Sequence, residues 1–209
     1  MKKVICLTLL FLIVSMTSSA APKGFNKGPY FLLNAGFIHY TVDNNARTGR
    51  QVGRNIEPAF GFDFGWNITD EIAPELLIRY ATNKNNGNRE HIVNTHLSAV
   101  YNFLINGLVN HKIFHIIPIV KAGLVAQLAA IPGDPLSNDD KMAVWGIGPS
   151  FSAGVRAMIT RYFYCGINGE TNFIHLPAKY QEISGTKTKI LSGGWDLQLG
   201  LVGEVGVHF

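Results

Sequence analysis

Apolar and polar residues alternate at every second position along much of this chain, and a period of two predicts β-strands rather than helices. The alternation is clearest over residues 56–68, where Phe60, Phe62 and Phe64 share one face and the other face carries Gly, Ala, Asn and acidic residues. The last segment, residues 195–209, repeats this pattern and ends on Phe209. The chain is therefore expected to form sheets with one strongly apolar face.

Weaker alternation recurs between these two segments and indicates about eight strands in all. The predicted strands are 30–42, 56–68, 71–80, 92–103, 113–128, 145–159, 162–174 and 195–209. Short spacers at Thr69-Asp70 and Thr160-Arg161 contrast with long polar spacers at 43–55, 81–91, 129–144 and 175–191. Tight turns at one end and long loops at the other predict an all-β fold, an up-and-down antiparallel transmembrane β-barrel of about eight strands.

The strongest competing interpretation is a membrane-spanning helix over residues 113–131, which are mostly apolar. Pro118 would break the hydrogen bonding of that helix, and Lys121 would lie near the bilayer centre. As a strand, the same run places Lys121 on the face opposite Pro118 and Val120, which removes both penalties. The sequence therefore favours a strand here.

Residues 1–20 are interpreted as a secretory signal peptide, because Lys2 and Lys3 precede an apolar stretch at 4–14 and a small, polar segment that ends at Ala20. That apolar stretch is too short to cross a bilayer as a helix. We therefore expect cleavage after Ala20 and one barrel domain over residues 21–209. Loss of the two lysines lowers the net charge from +4 to about +2, an excess too weak to indicate nucleic-acid binding.

The composition of the two strand faces indicates which one lies outside. A soluble, lipocalin-like barrel would carry its apolar face inward and a charged coat outward. Only 15% of the residues are charged, and many of these lie in the long spacers, which leaves too few to solvate a whole exterior. Aromatic residues such as Tyr80, Trp145 and Trp195 lie near predicted strand ends, as in the interfacial girdles of membrane barrels. We therefore expect the apolar face to contact lipid.

The segment 199–209 resembles the C-terminal strand of bacterial outer-membrane proteins. This resemblance implies that the barrel assembly machinery reads an assembly signal in this strand, at Leu201, Val205, Val207 and Phe209. Short segments at 65–70, 99–103, 118–123 and 152–156 are similar to the OmpA-like and opacity-type eight-stranded barrels. Membership of that superfamily implies a place in the cell outer membrane, with outer-membrane lipid and lipopolysaccharide as partners. The chain departs from OmpA proper by stopping at the barrel, so we expect no peptidoglycan-binding domain.

Strand parity places nine charged residues on the inward face of such a barrel. They are Glu57, Asp63, Glu75, Arg79, Lys121, Arg156, Glu170, Asp196 and Glu204. Opposite charges in a narrow interior must pair, because an unpaired buried ion costs several kcal/mol. We interpret these residues as a structural salt-bridge network rather than a catalytic carboxylate pair. Within it, we expect Arg156 to face Glu170 across the turn at Thr160-Arg161.

The sequence shows no recognised enzymatic constellation. His175 lies in a segment similar to that of lipid A deacylase barrels, but Pro177 occupies the position of the serine nucleophile. Residues 185–188 lack the glycine spacing of a phosphate-binding loop. We therefore expect no catalytic residues, no cofactor and no metal site.

The long loops remain as candidates for function, since barrels of this kind present loops to the outside. The first carries Arg47, Arg50 and Arg54, and the last carries Lys187 and Lys189. Such a basic rim would suit lipopolysaccharide phosphates or an acidic host or surface ligand, although ordinary solvated loop charge explains the same residues. We expect a non-enzymatic surface protein for adhesion or envelope interaction. A narrow, porin-like channel and a lipid-modifying enzyme remain as alternatives.

Overall fold

The computed structural model describes residues 26–40, 56–85, 88–104, 115–132, 141–160, 162–183, 186–191 and 193–209. Ten strands account for most of these residues. They are β1 Gly28–Tyr40, β2 Ile56–Asn67, β3 Ile72–Asn85, β4 Asn88–Asn102, β5 His115–Pro132, β6 Lys141–Thr160, β7 Phe163–Leu176, β8 Lys179–Ile183, β9 Thr186–Leu191 and β10 Gly194–His208. The expected signal peptide and the three loop arginines lie outside the described residues.

Eight of the strands form one closed antiparallel barrel in the order β1-β10-β7-β6-β5-β4-β3-β2, and β8 pairs with β9 in a separate hairpin. Neighbours in the barrel follow one another along the chain, except that β10 follows β7 and closes the barrel against β1. This closing pair runs from Tyr30, opposite His208, to Tyr40, opposite Gln198. The predicted up-and-down barrel of eight strands is confirmed.

The expected contrast between tight turns at one end of the barrel and long loops at the other holds only in part, because the connection 103–114 lies with the turns and the short connection 86–87 lies with the loops. Both ends of the described chain lie at one end, together with the connections at 68–71, 103–114 and 161–162, and we call this the turn end. The β2–β3 turn is tight: Thr69 Oγ1 accepts hydrogen bonds from the backbone N–H groups of Glu71, at 3.2 Å, and Ile72, at 3.0 Å. The connections 41–55, 86–87, 133–140 and 177–193 lie at the opposite end, the loop end.

Side chains sort between the two faces of the barrel wall by strict alternation. Outward-facing apolar side chains are exposed from strand to strand, for example Phe60 at 58% and Leu201 at 57%. Trp66 and Tyr162 add exposed aromatic rings at the turn end, and Trp145 and Trp195 add them towards the loop end. An apolar band with aromatic rings at both edges is the exterior of a transmembrane barrel, so the apolar face lies outside as predicted. Within the described residues, no helix is long and apolar enough to cross a membrane.

A glycine allows the backbones of the two ends of the barrel sheet to approach closely where the barrel closes. Gly28 begins β1 with a φ of 126°, a left-handed conformation that favours glycine. A Cβ atom at this position would collide with the carbonyl oxygen of Phe209. The neighbouring backbone N–H of Phe209 donates to the carbonyl of Pro29 at 2.9 Å, so the two chain ends are tied together directly.

The prediction of long spacers at 81–91 and 129–144 is wrong. Strands β3 and β4 pair as far as Asn85 and Asn88 and leave only residues 86–87 between them, and β5 and β6 pair as far as Pro132 and Lys141. The predicted loop 175–191 contains the β8–β9 hairpin. Alternation of hydrophobicity stops where the lipid stops, whereas backbone pairing continues into water, so polarity alone mistakes these strand ends for loops.

Leu201 lies at the centre of β10 and faces outward, and we expect Leu201→Arg to lower the free energy of unfolding by about 2–4 kcal/mol. The cost arises because a charge at the bilayer midplane loses its hydration. Tyr162→Arg, at the turn end, serves as the matched control and should cost only about 0–1 kcal/mol. Denaturant titration of both variants in lipid vesicles measures the difference. Equal costs at the two positions would contradict the assigned depth.

Candidate functional site

The inward face of the barrel is polar at mid-height, and we call its charged residues the central cluster. These are Asp63, Glu75, Arg79, Lys121, Arg156, Glu170 and Glu204, all at least 91% buried. They come from six of the eight barrel strands, each from a position whose neighbours along the strand face outward. Seven of the nine predicted lumen residues are therefore brought together here.

Glu75 is the centre of the larger group of ion pairs. Its two carboxylate oxygens accept from Lys121 Nζ at 2.5 Å and from Arg156 at 2.7 Å. Tyr30 donates its hydroxyl to the same carboxylate at 2.7 Å. Arg156 also binds Glu204 through its Nε. One carboxylate thus joins strands β1, β3, β5 and β6 across the interior.

Lys121 lies between three carboxylates. Beyond Glu75, its Nζ is 3.5 Å from Asp63 Oδ2 and 3.7 Å from Glu204 Oε2. Four carboxylates and three cations make up the central cluster, and bridging contacts allow Lys121 and Arg156 each to serve more than one acid. Such sharing offsets part of the desolvation penalty of buried charges.

A second group of contacts centres on Arg79, which forms an ion pair with Glu170. Arg79 Nε also donates to Asn34 Oδ1 at 3.2 Å, and Asn34 Nδ2 donates to Asp63 Oδ1 at 2.5 Å. The amide of Asn34 therefore links the Arg79 group to the Glu75 group, and the central cluster is one continuous network.

The predicted contact between Arg156 and Glu170 is wrong. In the β6–β7 hairpin, Arg156 lies opposite Gly166, whereas Glu170 lies opposite Ser152. Each side chain therefore reaches across the lumen instead of along the hairpin: Arg156 binds acids on β3 and β10, and Glu170 binds Arg79 on β3.

Glu57 and Asp196 lie on inward-facing positions nearer the loop end than the central cluster. Glu57 is opposite Ile38, and Asp196 is opposite Ile174. Asp196 is fully buried and accepts a hydrogen bond from Gln198 Nε2 at 3.1 Å. The structure therefore places these two predicted members in the neighbouring layer.

Two buried apolar layers close the lumen above and below the central cluster. The predicted set of charged lumen residues includes neither layer. The loop-end layer consists of Ile38, Ala59, Ala81, Ile92, Val125, Ala129, Val144, Ile174 and Leu176. The turn-end layer consists of Tyr30, Leu32, Ala73, Val100, Leu104, Ile117, Ile119, Met158 and Tyr164. Large aliphatic residues at inward positions, such as Ile117 and Ile119 before Lys121, were the signal in the sequence.

The sequence analysis also does not predict a group of hydrogen bonds at the turn end, which we call the turn-end clasp. The backbone N–H of Asn26 donates to Asp70 Oδ1 at 2.9 Å, and its side-chain amide donates to the Asp70 carbonyl at 3.1 Å. Asn102 donates to the same carbonyl at 3.2 Å, and Tyr164 donates its hydroxyl to Asn26. The segment before β1 is thereby held across the base of the barrel.

Very little space remains inside the central cluster. A cavity of about 20 Å³ lies among its side chains, which is room for about one water molecule. The described side chains of the central cluster are therefore closely packed.

The remaining predicted site residues lie on the exterior or at the loop end. Leu201, Val205, Val207 and Phe209 face outward and are exposed along β10, and their role in assembly stays a prediction. His175 is exposed and contacts the ring of Trp195, with 5.2 Å between ring centroids. Lys187 and Lys189 lie on β9, opposite Glu182 and Tyr180 in the backbone register.

Double-mutant cycles test the ion pair between Arg79 and Glu170. Arg79→Met alone should destabilise the barrel by about 3–5 kcal/mol, because it leaves the buried Glu170 without its cation, whereas the Arg79→Met/Glu170→Met double variant should cost much less. The matched cycle on Arg156→Met and Glu170→Met should show little coupling, since these side chains bind different partners. Unfolding in lipid vesicles gives both coupling energies. A larger coupling for Arg156 with Glu170 than for Arg79 with Glu170 would contradict the network.

Comparison with known proteins supports the fold. No protein-family model matches the chain, and no curated protein matches it. Among solved structures, the chain is similar to the Neisserial surface protein A, with a TM-score of 0.58 and 16% identity over 87% of this chain and 97% of that one. It is also similar to the outer-membrane protein AlkL, solved in lipid bilayers, with a TM-score of 0.51 and 14% identity over 91% of this chain and 95% of that one. The chain thus has the fold of the eight-stranded outer-membrane β-barrels.

Proposed function

We propose that this protein is a non-enzymatic outer-membrane barrel whose loop-end connections bind anionic groups of lipopolysaccharide or of acidic surface glycans. The observation that carries the proposal is the closed lumen. Two apolar layers and a paired ionic layer occupy the described lumen, and the cavity among the side chains of the ionic layer has a volume of only about 20 Å³. A barrel filled in this way acts as a rigid support, and its ligand contacts fall to the loops.

Barrel closure makes neighbours of the two strands from which the basic connections extend. Arg47, Arg50 and Arg54 lie in the connection that follows β1, whereas Lys187 and Lys189 lie in the connection that precedes β10. Strands β1 and β10 are hydrogen-bonded neighbours, and Tyr40, the last residue of β1, is opposite Gln198 near the start of β10. The two connections therefore leave the barrel from adjacent strands, which supports one shared basic surface.

Charge favours an anionic ligand for this surface. Six basic residues, Lys179 and the five named above, lie in these two connections against two acidic ones, Asp43 and Glu182. Phosphate, sulfate and carboxylate groups are the partners that arginine and lysine bind most strongly. Such contacts are exposed to solvent, so their strength falls as ionic strength rises. The β8–β9 hairpin supplies a paired backbone for Lys187 and Lys189, which lowers the entropy lost when they bind.

Reversal of the five charges should remove binding. We expect the variant with Arg47, Arg50, Arg54, Lys187 and Lys189 all changed to Glu to lose at least about tenfold in affinity, about 1.4 kcal/mol, for lipopolysaccharide and for a sulfated glycan. Surface plasmon resonance on barrels in lipid nanodiscs, at low and at high salt, measures this. Lys84→Glu/Arg89→Glu, on the β3–β4 hairpin of the same end, is the matched control and should keep its affinity. Unchanged binding by the five-residue variant would refute the proposal.

The filled lumen predicts that the protein conducts no ions. In planar bilayers, the wild-type barrel should give no current steps above the protein-free background, even at high protein load. The physical reason is that ions cannot cross the two apolar layers without losing their hydration. A sixteen- or eighteen-stranded porin in the same bilayer, whose wide barrel leaves an aqueous channel, is the positive control. Reproducible current steps from the wild-type barrel would favour the alternative of a narrow channel.

A further inference from the structure

The 20 Å³ cavity of the central cluster has two hydrogen-bond acceptors on its wall that the ion pairs leave unused. They belong to His96, on β4, and Asn168, on β7, and each residue is only 4% exposed. Neither His96 Nε2 nor Asn168 Oδ1 has a hydrogen-bond partner in the protein. A buried polar atom without a hydrogen-bond partner costs about 1–3 kcal/mol of folding free energy. The two atoms therefore indicate that a ligand binds between them.

The hydrogen bonds around Ser150 identify the tautomer of His96. Ser150 has one hydroxyl proton and donates it to Asn172 Oδ1 at 2.7 Å. Ser150 Oγ lies 3.1 Å from His96 Nδ1, and this contact is a hydrogen bond only if Nδ1 carries the proton. In a neutral imidazole the other nitrogen is then an acceptor. His96 Nε2 therefore presents a lone pair to the cavity.

A hydrogen bond also fixes the orientation of the Asn168 side-chain amide. Its amide Nδ2 donates to Glu204 Oε2 at 2.6 Å, which leaves the carbonyl oxygen Oδ1 facing away from that carboxylate. Oδ1 lies against Gly154 on β6, in a space that a Cβ atom at residue 154 would occupy. The cavity wall thus includes one residue with an unpartnered acceptor from β4 and one from β7, and both acceptors require a donor.

We propose that the cavity binds one water molecule, which donates its two protons to His96 Nε2 and Asn168 Oδ1. The volume admits one water, and Ser98 and Ser152 on the same wall offer hydroxyl groups to its oxygen. Two cations, Arg79 and Lys121, and four carboxylates, Asp63, Glu75, Glu170 and Glu204, also line the cavity. Each of these carboxylates already contacts Arg79, Lys121 or Arg156, so the atoms that lack a partner are the neutral acceptors of His96 and Asn168. A neutral molecule with two donors and one acceptor matches this wall.

The water would join two parts of the interior that no direct bond connects. On one side, His96, Ser150 and Asn172 form a hydrogen-bonded chain across β4, β6 and β7. On the other side, Asn168 binds Glu204, and through it Arg156 and Glu75. With the water in place, the chain of His96, Ser150 and Asn172 is joined to the central cluster.

Solid-state NMR of the wild-type barrel in lipid bilayers, at neutral pH, tests the proposal. The ¹⁵N shift of His96 should report a protonated Nδ1 and an unprotonated Nε2, and magnetisation should pass from a slowly exchanging water to Nε2. A protonated Nε2, or no transfer from water, would overturn the proposal. A crystal structure should show the same water between the two acceptors, and an anomalous peak there after rubidium exchange would overturn it in favour of a cation.

A variant of His96 distinguishes the signal of this water from the signals of other bound waters. His96→Asn retains an amide that can donate to Ser150 but removes the atom at the Nε2 position, so the transfer from water at residue 96 should be lost. His175→Asn, on the exposed outer face, is the matched control and should leave the His96 signals unchanged. Should the His96→Asn barrel fail to fold, the wild-type measurement alone still decides the matter.

Discussion

Closure of the sheet between β1 and β10 is the constraint on which the rest of this structure depends. A strand in hydrocarbon has no water to satisfy its backbone, so every N–H and C=O group must find a partner in another strand. An open sheet of eight strands would expose two unpaired edges, and only the pairing of the first strand with the last removes them. Gly28 and the tie between Phe209 and Pro29 complete that pairing at the turn end.

Closure with eight strands also fixes the width of the interior, which is just wide enough for side chains to fill. Buried charges in such a space lack water, so each needs an opposite charge within reach. The central cluster meets this demand by sharing, because Lys121 and Arg156 each contact more than one carboxylate. The two apolar layers then separate these ion pairs from water at both ends. The lumen therefore resembles a protein core with a polar centre.

Much of this follows from the sequence, and the exceptions have a common cause. Parity along a strand determines which face a residue occupies, so the inward position of Glu75 or Lys121 was predictable. Parity says nothing about which side chains meet across the barrel, because that depends on the stagger of strands distant in sequence. For this reason parity predicts the hairpin neighbour Glu170 as the partner of Arg156, whereas the partners of Arg156 lie on β3 and β10.

Strand parity likewise does not predict the turn-end clasp or the strand ends of β3 and β4 that continue beyond the apolar band. Asn26 binds Asp70 across the base of the barrel, and no periodic pattern marks either residue. Polar residues such as Asn85 and Asn88 pair in a strand ladder beyond the apolar band, where hydrophobic alternation no longer reports on structure. Prediction from pattern is thus accurate within the membrane and loses its physical basis at both water interfaces, where the connections between strands begin. Barrel closure is what relates the connection after β1 to the connection before β10, because it makes β1 and β10 hydrogen-bonded neighbours although they are the first and last strands of the described chain.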